Sequence, residues 1–218
     1  MFVQLCYLSI FLYGLPQLVA ASIGSETKSF ALQAAEKKKG KKRRAPALRE
    51  RIYSQLSQAQ KLADEKKVQE GLAILKKMES KVKQLNSYEI AMMYNFMAFI
   101  YYAEGQRLEA IAAFEKVIGQ KNIPESLELS TLYSLSQIYM QSENYDKSIK
   151  TMKKWITLNE SGSNSKSESL LANAYYAKKD YAGALTHLEK AIEFDRTVGK
   201  LPTENQLVLK RAVHYELK

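Results

Sequence analysis

Cysteine is almost missing from this chain: Cys6 stands alone among 218 residues. An intrachain disulfide cannot form, and a metal site built from several thiolates is excluded. Proline and glycine are scarce too, at four and nine residues, which disfavours a turn-rich chain and suits long helices. Histidine occurs twice, at His187 and His214, and each reads as a structural helix residue. No HExxH, glycine-rich phosphate loop, GxSxG or clustered His/Asp set is present. Asp64, Asp146, Asp180 and Asp195 fall at expected helix ends or turns, where carboxylates are ordinary. The sequence therefore offers no catalytic residue, metal site or cofactor site, and no small-molecule substrate is expected.

What is present is apolar and aromatic. Hydrophobic residues make up 46% of the chain, enough for a sizeable core, and Tyr occurs 14 times. The net charge of +10 is uneven. Residues 36–51 (EKKKGKKRRAPALRER) hold nine Lys/Arg and two Glu, a net of +7, leaving about +3 for the rest. This run reads as a solvated basic tail, with contact to an anionic membrane surface or an acidic partner as the alternative. Nucleic acid is not an expected partner, since no recognition motif accompanies the charge.

Residues 2–21 carry no charge and are mostly apolar, but Gly14, Pro16 and Gln17 interrupt them. The apolar core of about 12 residues is short of the ~20 that span a bilayer comfortably. Val19-Ala20-Ala21 supplies the small side chains of a cleavage site, so residues 1–21 read as a signal peptide cut after Ala21. An uncleaved inner-membrane anchor is the alternative. Residues 22–45 are small, polar and basic, and read as a disordered linker. Ordered structure is expected over 46–218.

There the chain repeats. Gly71-Leu72, Ala110-Ile111, Ser148-Ile149 and Ala184-Leu185 recur at intervals of 39, 38 and 36 residues. Four residues later come Leu75, Phe114, Met152 and Leu188; nine residues earlier come Leu62, Tyr101, Tyr139 and Tyr175. Twelve residues earlier stand Ala59, Ala98, Ser136 and Ala172. Small side chains at this spacing let two helices cross closely, while larger ones three and four residues away fill the space beside the crossing. The pattern resembles the tetratricopeptide repeat (TPR), with Gln58 and Gly71 as looser positions in the first unit. The spacing predicts helices over 47–65, 67–84, 87–104, 107–120, 124–142, 145–158, 165–178 and 181–195, and a closing helix over 203–217. Thr203-Glu204-Asn205-Gln206 has the form of a capping box. Pro124 fits the first turn of the fifth helix, and Ser161–Ser169 reads as a flexible joint. The expected fold is all-α: a right-handed superhelical solenoid of about four helix-turn-helix repeats plus a C-terminal capping helix.

In such a stack the first helix of each unit lines the concave side. That face is expected to carry Asn95, Phe99 and Tyr102, then Tyr133, Gln137 and Met140, then Asn173 and Tyr176. A carboxamide can pair with both the N–H and C=O of an extended peptide, and rings or Met can take its side chains. The expected partner is therefore a protein or extended peptide. No Lys/Arg pairs stand on this face to clamp a terminal carboxylate.

The stretches LNSYEIAMMYNFMAFIYY (85–102) and IPESLELSTLYSLSQIYMQSENYDKSIKTMKKW (123–155) resemble the exported TPR proteins that accompany TonB systems in Gram-negative bacteria. The resemblance implies a non-catalytic periplasmic scaffold in TonB-dependent transport, with TonB-system components as partners. A periplasmic adaptor in cell-envelope or outer-membrane protein assembly is the alternative.

Overall fold

Four residues in the left-handed backbone region punctuate the chain at the same interval as the small residues. They are Lys66, Gly105, Glu143 and Lys179, with φ between 57° and 73°. Each closes a helix in the same way. The following N–H reaches back five residues: Lys67 to the Leu62 carbonyl, Gln106 to Tyr101, Asn144 to Tyr139 and Asp180 to Tyr175, at 2.8–2.9 Å. These are Schellman closures, which satisfy carbonyls the helix end leaves open and reverse the chain.

The computed structural model describes residues 45–218, so the expected signal peptide and nearly all of the expected linker lie outside the described residues. Nine α-helices occur among those described: α1 Glu50–Asp64, α2 Val68–Glu79, α3 Ser87–Ala103, α4 Arg107–Ile118, α5 Glu125–Gln141, α6 Tyr145–Leu158, α7 Ser165–Ala177, α8 Tyr181–Thr197 and α9 Glu204–Glu216. Successive helices pair as α1–α2, α3–α4, α5–α6 and α7–α8, each pair packs on the next, and α9 lies on α7 and α8. The expected all-α stack of four pairs and a closing helix is the observed one.

The pairs cross where the small residues stand. Ala59, Ala98, Ala110, Ser136, Ser148, Ala172 and Ala184 are fully buried. A Cβ on Gly71 would lie 2.7 Å from the Ala59 carbonyl oxygen, so glycine is a requirement of the first crossing and not a loosening of it. In the third pair the two serines satisfy each other's helices. Ser136 Oγ donates to the Ser148 carbonyl (3.0 Å) and Ser148 Oγ to that of Ser136 (2.9 Å). Phe114, Met152, Leu75 and Leu188 fill the space beside the crossings with no exposure.

Side chains also set the helix starts. Asn86 with Glu89, Asn164 with Ser167 and Thr203 with Gln206 form reciprocal capping boxes, the last as expected. Three expectations need correcting. The second helix stops at Glu79, because the Ser80 hydroxyl takes the Lys77 carbonyl (2.8 Å) and a 3-10 turn, Val82–Gln84, follows. Pro124 precedes the first turn of α5 as its N-cap residue. The joint is shorter than 161–169: Ser165 onward is helical, and Ser167 and Glu168 are buried.

The closing helix buries Leu209 and Val213 against Ala184, Leu188 and Ile192. Gln206 is 5% exposed and donates to Asp195 Oδ2 (2.8 Å), which also accepts from Ser165 Oγ (2.7 Å). The outer side of α9 keeps Leu207, Val208 and Tyr215 exposed.

Two stability outcomes follow from the crossings and closures. Ala110→Trp forces an indole between α3 and α4, and is expected to destabilise by roughly 1–3 kcal/mol or more, seen as a lower melting temperature. Glu143→Gly relieves a left-handed residue and is expected to stabilise by about 0.5–1 kcal/mol net of glycine's greater unfolded freedom. Denaturant melts of both variants measure these shifts.

Candidate protein-interaction face

The first helices differ from the second in charge. Residues 90–103 of α3, 129–141 of α5 and 169–177 of α7 contain no Lys, Arg, Asp or Glu. In the last three pairs the charged residues concentrate on α4, α6 and α8, whereas α1 carries Glu50, Arg51, Lys61 and Asp64. Acids on the first helices of the last three pairs sit in the first turn: Glu89, Glu125, Glu128 and Glu168.

Glu89, Glu128 and Glu168 are buried, and each meets a different basic side chain. Arg49 grips Glu89 through Nε (2.7 Å) and Nη2 (2.6 Å), while its Nη2 also donates to the Gln84 carbonyl (2.8 Å). Lys154 Nζ lies 3.1 Å from Glu128. His187 Nδ1 lies 2.6 Å from Glu168, and its ring stacks on Tyr175 at 5.1 Å. His187 thus sits in a packed pair, and no group of three or more metal-ligating side chains occurs among the described residues. Arg49, read from the sequence as part of a solvated tail, is instead fastened to α3 because Glu89 would otherwise be a buried charge with too few donors. The near-39-residue recurrence of these three glutamates was a usable signal that sequence reading missed.

The guanidinium of Arg49 and the Asn86 N–H hold the Glu89 carboxyl below the usual carboxylate range, against the opposing effect of burial. Burial pushes Glu168 up, but the hydrogen bonds from His187 and Ser163 leave it lowered overall. Ser165 and Gln206 lower Asp195, again against burial.

All eight residues expected on the first-helix face are half-buried. Asn95, Phe99 and Tyr102 follow i, i+4, i+7 on α3; Tyr133, Gln137 and Met140 do so on α5; Asn173 and Tyr176 are three apart on α7. Neighbouring first helices meet here: Gln141 Nε2 donates to Tyr102 Oη at 2.9 Å. Gln141 was not among the expected residues, although it lies one turn beyond Gln137.

The rings divide their surface between packing and solvent. Phe99 stands edge-on to Phe114 (5.2 Å), Tyr133 edge-on to Trp155 (6.0 Å), and Tyr176 tilts against Tyr181 (5.5 Å). Burial pushes the Tyr133 phenol up. Met140 and Tyr133 pack on the core formed by Ile149, Met152, Leu171 and Ala174. The carboxamides are not equivalent. Asn173 Nδ2 donates to the Ser169 carbonyl of its own helix (2.8 Å). The side chains of Asn95 and Gln137 make no hydrogen bond to a described residue, which leaves both ends of each amide open to a ligand.

Two family models described as tetratricopeptide repeat match the chain, one over residues 91–122 and 129–161 and the other over 169–198. The chain carries tetratricopeptide repeats. Its TPR stack is similar to the nearly identical TPR-like repeats of a kinesin light chain candidate from Podosopora anserina, at 20% identity and a TM-score of 0.55, covering 76% of this chain and 85% of that one. It is also similar to MamA from Desulfovibrio magneticus RS-1 (14% identity, TM-score 0.54, 69% and 78% covered). A third likeness is to the APC/C hetero-tetramer Cut9–Hcn1 (14%, 0.53, 74% and 29%). At these identities the likeness is one of TPR fold. No curated protein matches the chain.

The lowered carboxyls give the TPR stack a defined acid response. Folded values below the unfolded ones mean that their stabilisation is complete above the ordinary carboxylate pKa of about 4 and is lost as pH falls through the folded values. The melting temperature is expected to be flat from about pH 7 to 5 and to drop below about pH 4. Glu89→Gln is expected to melt lower at pH 7 and to lose less on acidification, as calorimetry across that range would measure.

Proposed function

We propose that this chain is a non-catalytic scaffold whose first-helix face holds an extended segment of a partner protein. One observation carries the reading: three consecutive first helices present an uncharged surface on which Asn95 and Gln137 have unused hydrogen-bonding capacity beside half-open rings. A peptide backbone finds donors and acceptors there, and its apolar side chains find Phe99, Tyr133 and Met140. A charged side chain would lose its hydration on this face without gaining a counter-charge, so the held segment is a largely uncharged one.

The finer reading is that the chain works in the periplasm as an accessory of a TonB-type transport system. It is supported by the uncharged apolar stretch over 2–21 and by the resemblance of residues 85–102 and 123–155 to TPR proteins of such systems. In that setting the partner is a TonB-system component, and the TPR stack organises part of the assembly.

A photo-crosslinking residue at Gln137, used in intact Gram-negative cells, tests both levels. Capture of a TonB, ExbB or ExbD-type protein is the expected result, and capture of cell-wall or outer-membrane assembly factors would replace the finer reading. Combined Asn95→Ala and Gln137→Ala is expected to weaken capture by roughly tenfold, about 1.4 kcal/mol, with melting unchanged. Undiminished capture by that variant would remove the face from consideration.

A further inference from the structure

Most lysines of α4 and α6 meet a partner, while Lys150 of α6 and Lys190 of α8 form no ion pair with a described residue. Five and six residues after each small crossing residue stand Lys76 and Lys77, Glu115 and Lys116, Lys153 and Lys154, and Glu189 and Lys190. Lys116 bonds Glu79 (3.0 Å), Lys154 pairs with Glu128 (3.1 Å), and Lys153 donates to Tyr175 Oη (2.8 Å). In the first pair four lysines fall within eight residues. Lys76 and Lys77 end α2, Lys81 and Lys83 lie in the turn that follows, and all four are exposed. None lies within ion-pair distance of an acid among the described residues, although Lys76 helps to lower the Glu79 carboxyl through space. The one acid between residues 71 and 88 is Glu79, and it is already held by Lys116 and by Tyr94 Oη (2.9 Å). The later connections carry far less charge: Lys121 alone, none over 159–164 except Glu160, and Lys200 alone.

The position of this turn matters. Arg49 binds the Gln84 carbonyl, so the described chain begins beside the lysines. In sequence, the seven Lys/Arg between Lys37 and Arg44 come directly before it. Clustered basic residues are attracted to anionic bilayer surfaces, by about 1 kcal/mol per Lys or Arg near the surface. Lysine ammonium groups are hydrated point charges that suit a diffuse headgroup layer, whereas bidentate readout of single phosphates favours Arg. No exposed aromatic side chain lies among the four for a base to stack on.

We infer that Lys76, Lys77, Lys81 and Lys83 form a contact surface for an anionic phospholipid bilayer. The surface belongs to the folded stack and orients it with its first pair toward the membrane. It is independent of the peptide-holding face, which lies on the first helices.

The test is co-sedimentation of the full chain with vesicles of phosphatidylcholine alone or mixed with phosphatidylglycerol, at ~0.05 and ~0.5 M salt. A variant combining Lys76→Gln, Lys77→Gln, Lys81→Gln and Lys83→Gln is compared with one carrying Lys121→Gln, Lys150→Gln, Lys166→Gln and Lys200→Gln, so that total charge is matched. The first variant is expected to lose at least ~10-fold in partitioning to the anionic vesicles, from ~1 kcal/mol per lysine at the surface, while the second stays within ~3-fold of the parent. High salt is expected to erase the difference. Equal losses in the two variants, or no loss in the first with its melting curve intact, would overturn the inference. So would an equal or larger loss by the first variant on duplex DNA or polyglutamate, which would assign the lysines to a nucleic acid or an acidic protein.

Discussion

The closeness of the helix crossings governs the rest of this molecule. At each one a backbone approaches a neighbouring helix with no room for more than a methyl or hydroxymethyl group: Gly71 against Ala59, Ala110 with Ala98, Ser148 with Ser136, Ala184 with Ala172. A larger side chain at any of them would separate the pair, and the aliphatic and aromatic residues one turn away would lose their packing. One pair cannot bury its own apolar faces, so each crossing also fixes how the next pair docks. The Schellman closures serve the same end. They hold the two helices of a pair to a short turn, and three of the four accept a left-handed Lys or Glu where glycine would be easier.

Between pairs, polar ties reinforce the apolar contact. Tyr94 and Lys116 meet at Glu79, and Tyr139 and Lys147 meet at Glu115, each joining one pair to the next. The lysines also lie over the tyrosine rings, at 4.5 and 5.2 Å. Much of the charge is thereby paired on the second helices, and α3, α5 and α7 are left uncharged along most of their length. The proposed interaction face is the outcome: its chemistry is amide and ring, without a charge to pair with a charged segment.

The two ends of the stack are finished differently. At the first pair, Arg49 fastens the incoming chain to Glu89 and Gln84, beside four exposed lysines without an ion pair among the described residues. At the last, Gln206 reaches into a buried polar cluster with Asp195 and Ser165, and Leu209 and Val213 close the core. This polar anchoring fixes the position of α9 where apolar contact alone would tolerate sliding.

The sequence by itself determined the helix pairing, the period and the closing helix, because small residues at a fixed interval are a steric requirement that leaves its mark on every unit. It also placed the eight face residues on one side of three helices, since i, i+4, i+7 spacing is a property of the helix alone. Only the tertiary structure decided which of them are free to act. Phe99, Tyr133 and Tyr176 turn out to share their rings with the second helices, and Asn173 spends its amide on Ser169, whereas Asn95 and Gln137 do not. The same holds for Arg49 and the four lysines near it. In sequence Arg49 belongs to the basic run 36–51, but contacts across 35 and 40 residues tie it to Gln84 and Glu89, beside lysines that have no acid within ion-pair distance among the described residues. Partners of long polar side chains depend on what lies across space, and local periodicity carries no record of that.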